Sequence, residues 1–207
     1  MTAIVETEKL TKYYGSHRGI IDVDLQVAEG EAFGFLGPNG AGKTTTIRTL
    51  LDHLRPTSGR ARIFGIETTA NPVAIHRRIG YLPGEFTLYD RLTGAQSIEY
   101  FGNLRGSVDP AYRASIIERL DVDPSRKFRE YSKGNKQKIG LVTALQHRPE
   151  LLIGRRQHGH PQSLAVAAMP DSSVRKARAI ATRGRPGNRR DERYRALHGS
   201  SRPRGAA

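Results

Sequence analysis

The sequence predicts an α/β domain over residues 1–153, and three observations predict it. Short apolar runs alternate with helical segments along this stretch. A glycine-rich turn, Gly37-Pro-Asn-Gly-Ala-Gly-Lys-Thr44, stands between one apolar run and one helical segment. The alternation stops at Gly154, where an Arg-rich tail begins. A chain of 207 residues is long enough for one domain with a sizeable core.

Residues 4–7 and 21–27 read as strands. In the second, Ile21, Val23, Leu25 and Val27 take one face and Asp22, Asp24 and Gln26 the other. Ala28-Glu-Gly30 is a turn. Residues 32–36 form an apolar run of the kind found in buried strands. The glycine-rich turn follows, then a helix predicted over 43–54, ending near Arg55-Pro56. A strand is expected at 60–64, a short helix at 72–77 and a strand at 79–82. Helices are expected at 97–104, 111–120 and 136–145, separated by Gly, Pro and Asp. Leu151-Leu-Ile153 begins another buried strand after Arg148-Pro-Glu150.

Composition excludes several classes of function. The absence of cysteine removes disulfides, thiolate metal sites and cysteine nucleophiles. No apolar run approaches the roughly 20 residues that cross a bilayer. The N-terminus has no basic-then-apolar leader pattern, so a cytoplasmic location is expected. The net charge of +14 is concentrated in the tail, where residues 154–207 hold 13 Lys+Arg against 3 Asp+Glu. That segment offers little to bury apart from residues 164–169, and weak hydrophobicity with dense like charge predicts disorder. It carries one tyrosine, Tyr194, and no aromatic interleaving for base stacking, so no specific nucleic-acid partner is expected.

The glycine-rich turn fits G-x-x-x-x-G-K-[ST] in full, with a strand before it and a helix after it. Gly37, Gly40 and Gly42 permit backbone angles that turn successive N–H groups inward around a phosphate, with Pro38, Asn39 and Ala41 completing the loop. The following helix presents its positive N-terminal end to the same anion. Lys43 is placed to reach the terminal phosphates, Thr44 to ligate magnesium, and Thr45 stands beside them. This motif defines a P-loop nucleotide binder. Alone it does not separate a transporter ATPase from a GTPase or a kinase.

Four further segments narrow the choice. Leu10-Thr-Lys-Tyr-Tyr-Gly15 could by itself be a tyrosine pair on a strand edge. Ile79-Gly-Tyr-Leu-Pro-Gly-Glu-Phe-Thr-Leu-Tyr-Asp-Arg-Leu-Thr93 could be a surface loop. Tyr131-Ser-Lys-Gly-Asn-Lys-Gln-Lys138 could be a serine-capped helix start with solvated lysines. Ala144-Leu-Gln-His-Arg-Pro-Glu-Leu-Leu-Ile153 leads into the last apolar run. Together with the P-loop, or Walker A, motif they resemble the ATP-binding subunit of ABC transporters of the multidrug or antibiotic exporter type. The resemblance runs over about residues 4–153.

The resemblance implies a P-loop ABC ATPase fold that binds ATP and Mg2+. It implies that Tyr14, with Tyr13 as neighbour, stacks on adenine, and that residues 79–93 include the loop coupling the site to a membrane subunit. It implies that Ser132, Lys133, Gly134 and Asn135 form the signature loop, which contacts the γ-phosphate held by an opposite subunit. The implied partners are a separate transmembrane permease and a second nucleotide-binding domain, in a homodimer or pseudo-dimer. The implied location is peripheral, at the inner face of the cell membrane.

The chain departs from that pattern at named places. Gly84 stands where the coupling loop has glutamine, with Glu85 one residue late. Lys133 replaces a signature glycine and Asn135 the signature glutamine. After Ile153 the family continues Leu-Asp-Glu-Pro-Thr, the Walker B segment, whereas this chain reads Gly154-Arg-Arg-Gln-His158. Arg155 and Arg156 thus occupy the positions of the magnesium-holding aspartate and the water-polarising glutamate. The resemblance therefore leaves no identifiable catalytic residue. His158, His160 and His198 lack the apolar strand that precedes the family's switch histidine. The change within one residue, to a mixture of Arg, Gly, Pro, Ser and His, reads as a shift of reading frame at about Ile153.

Overall fold

Alternating apolar residues near the N-terminus build a long antiparallel hairpin, β1 (Ala3–Tyr14) and β2 (His17–Ala28). Its register runs from Ala3↔Ala28 to Tyr14↔His17, and Gly15 supplies the positive φ of the turn. Val23, Leu25 and Val27 are buried while Asp22, Asp24 and Gln26 are exposed, as the alternation requires. The hairpin is irregular near Gly19, where Lys12 faces Ile20 and Tyr13 faces Arg18. The computed structural model describes residues 2–35, 37–38, 40–83, 89–106, 108–156 and 163–168.

Two four-stranded sheets organise the described residues. In the first, β4 (Ser58–Ile63) pairs with the free edge of β1, and the two-residue β5 (Ile66–Glu67) pairs with β4, in the order β2-β1-β4-β5. The second contains β3 (Ala32–Phe35), β6 (Ile79–Leu82), β7 (Leu151–Arg156) and β8 (Ser163–Ala168), in the order β3-β8-β7-β6. Strands β6 and β7 are parallel, and β8 runs antiparallel to both β3 and β7. It follows that β3 and β7 point the same way, with their C-terminal ends at one edge of the sheet. Arg78 fastens the β6–β7 pair at its other end, where its guanidinium donates to both carboxylate oxygens of Glu150 at 2.6 Å.

The helices start where the sequence supplies caps. Helix α1 (Lys43–Leu50) leaves the glycine-rich turn directly. Helix α2 (Pro72–Arg77) is capped by Asn71 and α4 (Pro110–Arg119) by Asp109, each with proline at its first position. Helix α3 (Gly94–Arg105) opens on a reciprocal Thr93–Gln96 capping box. A 3-10 turn at Phe128–Glu130 precedes α5 (Lys133–Leu145), whose cap is Ser132.

Several boundaries differ from the sequence-based expectation. Helix α1 ends at Leu50 rather than near residue 54, because Asp52 takes a positive φ of 53° that stops the helix. Helix α3 starts three residues early at the capping box, and α5 starts three residues early at Ser132. The most consequential difference is in the tail. Strand β7 continues through Arg156, and residues 163–168, the least polar run beyond 154, form β8 between β3 and β7. The sequence-based expectation for the tail was disorder, with residues 164–169 as its one stretch to bury. A parallel strand needs a crossover of a dozen or more residues, whereas only residues 157–162 join β7 to β8, so the added strand is antiparallel.

Two cores result. One lies under the strands and α1, with Leu10, Phe35, Leu50 and Ile63 at most 1% exposed. The other lies among α3, α4 and α5 around Ile98, Ile116, Phe128, Ile139 and Leu145, again at most 1% exposed. The first carries the glycine-rich turn and the second carries Ser132. Among the described residues no helix is long and apolar enough to cross a membrane.

Candidate functional site

Strand β3 buries Phe33 and Phe35 in the first core, which fixes the direction in which the chain enters the glycine-rich turn. The turn closes on itself through Ala41 N–H donating to the Pro38 carbonyl at 3.3 Å. Gly40 and Gly42 hold φ of 83° and 84°, a region costly for residues with a Cβ. Gly42 is then the cap of α1. It supplies no side-chain cap, and the N-terminal end of a helix is a favourable place for an anion.

Lys43 is buried and its ammonium donates to the carbonyls of Gly37 and Pro38, each at 2.6 Å. The cation is thus held over the loop by the loop's own carbonyl oxygens. Thr44 is exposed at the first turn of α1, and that turn has no acidic residue.

Opposite the cradle stands the tip of the β1–β2 hairpin. The Tyr14 hydroxyl is 3.4 Å from Thr45 Oγ1, so the aromatic residue and the cradle meet across one opening. Tyr14 is 43% exposed, which leaves ring surface for a planar ligand. Together they line a cleft of about 190 Å³, bounded by Tyr14, Arg18 and Gly19 on the hairpin side and by residues 40–45 on the cradle side. Gly19 is needed there: an added Cβ would stand 2.6 Å from the Lys12 carbonyl and 2.9 Å from Tyr14 Cε2. Sequence reasoning missed Arg18 and Gly19. The available signal was their position just past the hairpin turn, opposite the tyrosine pair.

Of the residues singled out in the sequence, the structure therefore gathers Tyr14, Gly40, Ala41, Gly42, Lys43, Thr44 and Thr45 into one cleft, with Gly37 and Pro38 bound to Lys43. Asn39, Gly84 and Glu85 lie outside the described residues, as do His158, His160 and His198. Tyr13 is on the strand beside Tyr14 and does not line the cleft. The signature segment is not brought there either. Ser132 Oγ accepts from Asn135 N–H at 3.3 Å, capping α5 over the second core. Lys133 and Gly134 form the first helical turn beyond that cap.

Arg155 and Arg156 lie in β7, and Leu164 of β8 pairs with both Arg155 and Phe35. Arg155 is therefore two strands from the last residue of β3, about 10 Å across the sheet, at the level where the chain enters the cradle. Towards a magnesium ion Thr44 offers one hydroxyl, and the described residues that line the cleft include no carboxylate, so the other oxygen ligands would have to come from the nucleotide phosphates, water or residues outside that lining. Among the described residues no group of three or more His, Cys, Asp or Glu is assembled to hold a metal.

Comparison with known proteins agrees with this geometry. The ABC transporter family model matches residues 20–154. The bacitracin transport ATP-binding protein BcrA of Enterococcus faecalis is 35% identical over 155 residues, covering 74% of this chain and 50% of that protein. The daunorubicin/doxorubicin resistance ATP-binding protein DrrA of Streptomyces peucetius is 36% identical over 158 residues, covering 73% and 48%. The chain thus spans about half the length of these relatives. A solved ATP-binding subunit of an ABC transporter superposes with a TM-score of 0.65 at 29% identity, covering 73% of this chain and 65% of that one. With the cradle, the facing tyrosine and a match through residue 154, the chain belongs to the ABC transporter ATP-binding family.

Proposed function

We propose that this chain is the ATP-binding part of a transporter of the drug- or antibiotic-export type, working with a separate membrane permease at its cytoplasmic face. The observation that carries the reading is the single cleft in which Tyr14 faces the Lys43 cradle. Adenine stacks on the ring, and the triphosphate replaces the Gly37 and Pro38 carbonyls as partner of the Lys43 ammonium. The names of the two relatives support the export class. The separation of Ser132 from the cradle supports pairing of two nucleotide-binding domains, since this loop is free to meet a triphosphate held by another copy.

A specific observation favours a second reading, a nucleotide-binding remnant without turnover. Hydrolysis needs a group that orients the attacking water, and the strand that would carry it ends in Arg155 and Arg156. The family match ends at residue 154, where the composition changes, which supports a frame shift near codon 153 as its origin. Reading the coding DNA downstream in the other two frames tests that origin: absence of a Leu-Asp-Glu-Pro-like continuation from both refutes it.

Titration calorimetry with ATP tests the shared premise, and phosphate release at saturating ATP separates the two functions. Binding with steady release supports the coupled ATPase. Binding without release supports the remnant. No heat of binding from folded protein overturns both.

A further inference from the structure

The wall of the cleft that faces the cradle carries one cation, Arg18, beside Tyr14 and Gly19. Arg18 is exposed on β2, where its backbone pairs with Tyr13 across the hairpin. Among the described residues no hydrogen bond, ion pair or ring contact engages its guanidinium. Lys12, a second cation of the hairpin, is placed over the Tyr14 ring at 5.8 Å and does not line the cleft. The fold thus occupies Lys12 and leaves Arg18 without a structural task.

This wall stands against the start of α1. A Cβ added to Gly42 would collide with the Ile20 side chain, and the Gly19 carbonyl oxygen would stand 3.5 Å from it. Arg18 is one residue along β2 from the backbone that approaches the helix cap. An anion seated at the N-terminal end of α1 therefore has the cradle on one side and the Arg18 wall on the other. A guanidinium keeps its charge over the physiological pH range and presents paired N–H donors that match phosphate oxygens. Its neighbours on that wall, a phenol ring and a glycine, offer no charge to a phosphate.

We infer that Arg18 is a phosphate-binding residue of this cleft, meeting the polyphosphate of the nucleotide from the side opposite the cradle. The inference rests on the nucleotide-binding reading and adds a contact from the hairpin to those of the glycine-rich turn. Because an exposed arginine loses side-chain freedom on binding, the gain is moderate.

The test is calorimetric titration of the full chain with ATP, and separately with inorganic tripolyphosphate, for the parent, Arg18→Gln and Arg18→Lys. Arg18→Gln is expected to weaken both ligands by about three- to tenfold, because the lost contact is to phosphate and not to the base. Arg18→Lys is expected to fall between the parent and the glutamine variant, since it keeps the charge and loses the paired donors. A tripolyphosphate affinity within about twofold of the parent in Arg18→Gln overturns the inference. If ATP alone weakens in that variant, the contact is to base or ribose. An Arg18→Lys affinity no better than that of Arg18→Gln also overturns it, since charge would then not matter. Any of these results, with ATP still bound by the parent, sinks this inference alone. No uptake of ATP by the folded parent sinks the nucleotide-binding reading and this inference with it.

Discussion

The ε-ammonium of Lys43 and the carbonyl oxygen of Gly37 are 2.6 Å apart, so the residue near the end of the cradle motif is bonded to the one that opens it. The side chain that would meet phosphate thus also braces the loop. Lys43→Ala is expected to lower ATP affinity about tenfold or more, because a charge-assisted contact is removed. Calorimetry checks the affinity. Urea denaturation is expected to show a loss of about 1–2 kcal/mol from the missing loop bonds.

Adenine stacking predicts a different signature. Tyr14→Ala is expected to cost about 1 kcal/mol of ATP affinity and Tyr14→Phe much less, since the ring rather than the hydroxyl carries the contact. Inorganic tripolyphosphate has no base, so its affinity is expected to stay within about twofold of the parent in both variants. An equal loss for tripolyphosphate and ATP would show that Tyr14 supports the cradle instead of the base.

Gly19→Ala tests the wall of the cleft without touching the cradle. The new methyl would crowd the Lys12 carbonyl and the Tyr14 ring at 2.6 and 2.9 Å. The expected outcome is a stability loss of about 1–3 kcal/mol by chemical denaturation, accompanied by weaker ATP binding.

The second core predicts a purely structural effect. Phe128 is 1% exposed and meets the Tyr131 ring edge-on at a centroid distance of 6.2 Å. Phe128→Ala is expected to cost about 3–5 kcal/mol in urea denaturation.

His147 predicts a pH dependence. Its Nε2 lies 3.1 Å from both the Ile79 carbonyl and Arg105 Nη1. Burial first, and then the Arg105 charge, push its pKa from 6.5 to about 4. The unfolded chain therefore binds this proton more readily, and stability is expected to fall as pH drops from about 6.5 towards 4. Above that window the group is neutral in both states and contributes no slope. His147→Gln is expected to flatten this part of the curve, read as the urea midpoint against pH.

The cradle and most elements were legible in the sequence because their signals are local. The motif at residues 37–44, the alternation in β2 and the proline-started helix at Pro72–Arg77 each depend on neighbours a few positions away. The cleft's other wall was only half legible. Tyr14 stood out as an aromatic residue, whereas Arg18 and Gly19 matter through a hairpin register that local spacing does not reveal. Strand β8 was hidden for a related reason. Its six residues look unremarkable amid the arginine-rich tail, and they gain strand character by pairing with β3 and β7 on both sides. The signature segment was recognised by likeness, and the structure shows the capped helix start that a bare reading of Ser132 also offered.

The pairing of Phe35 with Leu164 also bears on biosynthesis. During translation the glycine-rich turn leaves the ribosome long before the strand that stitches its parent strand to the rest of the second sheet. Until that late segment emerges, β3 has a hydrogen-bonding edge without its final neighbour, a template for wrong partners. A ribosome that stops short of β8 would release a nascent chain with its ligand loop already synthesised and its scaffold still unstitched.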